Sequence, residues 1–154
     1  MAKFADATRK GLNAYERARA ARTEMKDVLR QASLELSSAV DRDIALRLER
    51  ERRPVRDASS FEAAGIIPPP IEMVIVLKLR QEAPVAVSVS LAELEFGELG
   101  YPVHLRWRGV AQSAGDRNGF ESALVELLQS SYIGAKVAGL LKGRQDGEPP
   151  EDDV

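Results

Sequence analysis

His104 is the only histidine in the 154-residue chain, and cysteine is absent. Histidine-based acid–base or nucleophilic chemistry therefore runs through His104 or does not exist. Thiolate nucleophiles, disulfides and cysteine-ligated zinc or iron–sulfur sites are excluded. No metal site and no cofactor are expected. The segment Tyr101–Gly109 alternates, with Val103, Leu105 and Trp107 on one side and His104, Arg106 and Arg108 on the other. If Glu98-Leu99 is a hairpin tip, Glu93 faces His104 and Glu95 faces Pro102. A Glu93–His104 pair is suited to proton transfer. His104, Arg106 and Arg108 together are suited to a phosphate or carboxylate. A solvated face of paired charges explains the same residues more simply.

The densest basic run is Arg50-Glu51-Arg52-Arg53-Pro54-Val55-Arg56. Joined by Arg9, Lys10, Arg17, Arg19 and Arg22, the arginines Arg50, Arg52, Arg53 and Arg56 form a candidate phosphate-binding set. Against a nucleic-acid role stand a net charge of −2, interleaved glutamates and few aromatics. Three weaker patterns carry no site. Asp41 and Asp43 lack the further ligands a divalent cation needs. Gly115-Asp116-Arg117-Asn118-Gly119 matches no phosphate-loop pattern and reads as a helix cap by Asp116 or Asn118. Glu24 and Lys26 point about 200° apart on a helix and cannot form a nuclease pair.

The elements that must position these residues obey two periods. Leu12, Tyr15, Ala18, Met25, Leu29, Ala32, Leu36 and Val40 recur at helical spacing, close to a heptad seam. A helix from Phe4 to Val40 would be ~55 Å long, whereas a globule of the remaining hundred residues is roughly 35 Å across. The helix must bend near Gly11 and Arg22 or overhang. An overhang makes Leu12, Tyr15, Met25, Leu29 and Leu36 the candidate interface of a homo-oligomer. Over residues 41–53 strand competes with continued helix. Alternation of Ile44, Leu46 and Leu48 after polar turn formers favours strand. Residues 54–70, with Pro68-Pro69-Pro70, read as a linker holding a capped turn at Ser59–Ala64.

Period-two alternation then marks strands at Met73–Arg80, Val85–Leu91 and Tyr101–Gly109. Apolar parity switches between Leu91 and Leu94, which a bulge at Ala92–Glu93 accommodates better than a short helix. Val110–Gly119 reads as a loop. Two apolar stripes of different phase follow, Phe120 to Leu128 and Ile133 to Leu141, with a bend or break at Ser130-Ser131. Residues 143–154 read as a disordered acidic tail. The expected fold is α+β: a long N-terminal helix, a three- to four-stranded antiparallel sheet and a C-terminal helical region over 117–142, in one domain spanning 1–142.

Charge is divided unevenly. Residues 1–56 carry 14 Lys and Arg against 9 Asp and Glu, and the remainder 8 against 15. That asymmetry fits a basic arm seeking an acidic surface. The N-terminus has no apolar signal region and no run approaches membrane-spanning length. The reading is a cytoplasmic protein, a phage or viral origin being equally open. It is expected to act without catalysis, as an accessory or adaptor that binds a protein partner and itself. Nucleic-acid association is the alternative, and an enzyme using His104 with Glu93 the third.

Overall fold

The computed structural model describes residues 2–55, 64–65 and 70–143. Helix α1 is Lys3–Val40. Strands follow at β1 Ile44–Pro54, β2 Ile71–Gln81, β3 Val87–Gly97, β4 Gly100–Trp107 and β5 Val110–Ala114. Helices α2 Arg117–Gln129 and α3 Ser131–Leu141 end the described chain. The turn expected at Ser59–Ala64 lies, except for Ala64, outside the described residues. So do most of the linker and, past Gly143, the tail.

α1 is one continuous helix, as the heptad-like spacing requires. It ends where Asp41 turns left-handed (φ 52°) and Arg42 N–H reaches the Ser37 carbonyl. Aspartate tolerates that conformation better than most side chains. The strands form an antiparallel meander in the order β1-β2-β3-β4-β5. Its covered face presents Leu46, Leu77, Leu79, Val89, Leu94, Val103, Leu105 and Trp107 to Met25 and Leu29 of α1, Phe120, Leu124 and Leu127 of α2, and Ile133 and Leu140 of α3. Burying large apolar side chains at about 1.5–3 kcal/mol each is the main force holding the two layers together. Gly100 fixes where α1 lies: at φ 88° it lets the helix approach so closely that an added Cβ would sit 2.4 Å from Ala21 Cβ.

Among the described residues the sheet has five strands rather than three or four. Val110–Ala114, expected as a loop, is β5. The two-residue turn Arg108-Gly109, with φ 40° and 76°, folds it back onto β4. The parity switch in β3 is a bulge, one residue earlier than expected. Leu91 and Ala92 together oppose Leu77, and all three face the core. The helical break falls at Ser130, whose ψ of 135° is extended. Asp116 caps α2, its Oδ1 accepting the Gly119 N–H at 2.7 Å.

The β3–β4 register also differs. Gly97 pairs with Gly100, but Phe96 pairs with Val103, leaving Tyr101 and Pro102 as extra residues on β4. Proline has no N–H to donate to a ladder. Glu95 therefore faces His104, and Glu93 faces Arg106. The Glu93–His104 pair does not form.

Candidate functional site

The uncovered sheet face is a grid of charges laid over one fully buried side chain, Val76. Lys78 Nζ lies 3.3 Å from Glu49 and 2.6 Å from Glu51; Arg53 bridges Glu51 (3.0 Å) and Glu93; Arg106 bonds Glu95 at 3.3 Å. The Lys78 hydrogen bond holds the Glu51 carboxyl below its usual range, and Glu51 in return raises the Lys78 ammonium. His104 is exposed, with Nδ1 2.6 Å from Ser113 Oγ on β5. A histidine and a hydroxyl in contact resemble a base and nucleophile. However, both stand on an open strand face, and the Glu95 carboxylate goes to Arg106 rather than to His104.

Arg53, Arg106 and Arg108 do converge. They line a notch of about 370 Å³ between the bulged middle of β3, the β4–β5 turn and α3, together with Glu93, Tyr132 and Lys136. The Arg108 guanidinium stacks 4.8 Å from the centre of the Tyr132 ring, and Lys136 Nζ donates to the Ser90 carbonyl at 2.6 Å. Among the described residues Glu93 is the one acidic residue lining the notch, and Glu51 and Glu95 pair with Arg53 and Arg106 beside it. Arg50 and Arg52 lie elsewhere, exposed on β1, and Arg56 is outside the described residues.

β1 is an edge strand, and α1 serves its first two rungs. Ile44 N–H donates to Ser37 Oγ (3.1 Å), Ser37 Oγ donates to the Ile44 carbonyl (2.7 Å), and Leu46 N–H donates to Ser33 Oγ (2.8 Å). These serines, four residues apart on one helix face, stand in for a neighbouring strand. Beyond Leu46 the edge runs beside a groove of about 390 Å³ lined by Lys26, Leu29, Arg30 and Ser33 of α1 and Ala45–Leu48 of β1. A second hollow adjoins it, lined by Arg22, Met25, Lys26, Leu48 and Arg50 among others. Arg22, Lys26, Arg47, Arg50 and Arg52 form no ion pair among the described residues; Arg30 pairs with Asp27 at 2.9 Å. Lys26, Arg30 and Arg47 belong to this cationic set only through the fold. The spacing of Arg22, Lys26 and Arg30 at i, i+4, i+8 was the signal that α1 carries a basic stripe.

The expected oligomer stripe divides. Met25 and Leu29 are buried in the chain's own core, so these two are not available to a second chain, while Leu36 is half-buried against it. Leu12 and Tyr15 remain 60% and 61% exposed, and Phe4, 80% exposed, joins them. Every residue from Ala2 to Asn13 is exposed, so the start of α1 projects as an arm. Compared with family models, with characterised proteins and with solved structures, the chain matches none.

Proposed function

We propose that the chain is a non-enzymatic accessory or adaptor protein of the cytoplasm that works by binding another protein and by self-association. The α1 arm carries this reading. An isolated helix of about 12–15 residues is marginal in water, since nucleation is costly and only packing of an apolar face offsets it. The arm exposes Phe4, Leu12 and Tyr15 without any such packing among the described residues. A partner surface that covers them supplies it. Phe4 and Tyr15 lie within about 20° of each other around the helix axis, with Leu12 beside them, so one contact can bury all three. No helix among the described residues is long and apolar enough to cross a membrane.

Light scattering tests this. At high micromolar concentration the chain is expected to show the mass of a dimer or larger assembly. A monomer mass at that concentration would remove self-association. The unpaired cations of α1 and β1 favour nucleic acid as a second reading, for which affinity must fall steeply with salt. The net charge of −2 weighs against it.

A further inference from the structure

We infer that the edge of β1 beyond Leu46 is a docking site for an extended acidic segment of a partner protein, which adds to the sheet as a sixth strand. The inference rests on the protein-binding reading above and names the chemistry of the partner. Two independent observations converge on it.

The first is the backbone. Ile44 and Leu46 turn their N–H groups away from β2, toward Ser37 and Ser33. β1 pairs with β2 without a register shift from Ile44 to Pro54. Alternation therefore turns the N–H and C=O of Leu48, Arg50 and Arg52 outward as well. These groups have no hydrogen-bond partner among the described residues. A row of outward donors and acceptors is a template for a further strand. The site has two ends: the serines of α1 occupy the rungs before it, and Pro54, with no N–H, closes it.

The second is charge. Arg50 and Arg52 are exposed, unpaired and on one face of the strand, two residues apart. Arg22 and Lys26 wall the same stretch from α1. On the opposite strand face Glu49 and Glu51 are already matched by Lys78 and Arg53, and Arg47 is exposed without an ion pair among the described residues, so that side does not favour a basic segment. The complementary segment carries Asp or Glu at positions i and i+2, opposite Arg50 and Arg52, and an apolar residue opposite Leu48. A second copy of β1 does not fit, because antiparallel pairing across this edge sets arginines beside arginines.

The test uses the full chain and two eight-residue peptides, one alternating threonine and glutamate, the other threonine and lysine. Backbone amide exchange is followed by NMR. The glutamate peptide is expected to slow exchange at Leu48, Arg50 and Arg52, leaving Arg47 and Glu49 as they were. Arg50→Glu/Arg52→Glu should weaken its binding about tenfold or more, as loss and reversal of two charge contacts requires, with an unchanged melting temperature. Equal effects of both peptides, or no effect of either, would overturn the proposal. So would slow exchange at these amides in the free chain that is lost on dilution, which makes a second copy the occupant. The same holds if it is lost on neutralising Asp146, Glu148, Glu151, Asp152 and Asp153 to amides, which makes it the chain's own tail. Binding of single-stranded DNA that shifts the arginines and leaves the three amides exchanging freely, with the glutamate peptide inert, would assign the strip to nucleic acid instead. None of these outcomes touches the α1 arm, whose association is read from mass.

Discussion

Glu51 shows how single residues compensate charge on the open sheet face. Its carboxyl, lowered by the Lys78 ammonium at 2.6 Å, contributes stability that is complete above the ordinary glutamate range near ~4.3 and is lost as pH falls through the lowered folded value. Lys78, raised by the same contact, contributes below its ordinary range and loses that contribution as pH rises through its raised value. Both groups are partly exposed, so Glu51→Gln should cost no more than about 1 kcal/mol at neutral pH. Thermal melts should show that gap closing in strong acid; a gap that persists there would mean the loss is one of packing rather than charge. Strand parity placed His104 in the sequence reading, opposite the buried Leu105 and Trp107, and the structure agrees. Its cross-strand partner was not readable, because alternation carries no sign that Tyr101 and Pro102 fall out of the ladder and shift Glu95 into the place expected for Glu93.

At the scale of elements, the legible features were those with a long period. α1 follows from its apolar spacing, and β1 from the alternation of Ile44, Leu46 and Leu48. The break at Ser130 follows from a change of helical phase. β5 escaped because Val110-Ala111-Gln112-Ser113-Ala114 holds a single strong strand former; the turn at Arg108-Gly109, not its own composition, makes it a strand. The basic groove escaped for a related reason. Its walls come from α1 and β1, whose juxtaposition depends on Ser33 and Ser37 meeting the edge amides. Replacing both serines with alanine should leave those amides unpaired and destabilise the domain by about 1–2 kcal/mol. Hydrogen exchange should speed up at Ile44 and Leu46. Unchanged exchange there would mean that the edge is held by packing alone.

At the scale of the molecule, the uneven charge of the sequence becomes a position. The basic first third places Arg22, Lys26 and Arg30 along α1 and Arg50 and Arg52 along β1, beside a compensated sheet face. α1, 38 residues and so ~57 Å long, outruns the layer it covers. The domain thus has two uncovered features among its described residues, an apolar arm and an open strand edge. Self-association requires that the arm be a contact. Sedimentation equilibrium of the native chain and of Leu12→Arg/Tyr15→Arg decides it. Both positions are exposed in the single chain, so the variant should fold with an unchanged melting temperature. The account predicts a dimer or larger assembly for the native chain and a monomer for the variant. Equal masses for the two proteins, whether monomeric or assembled, would contradict it.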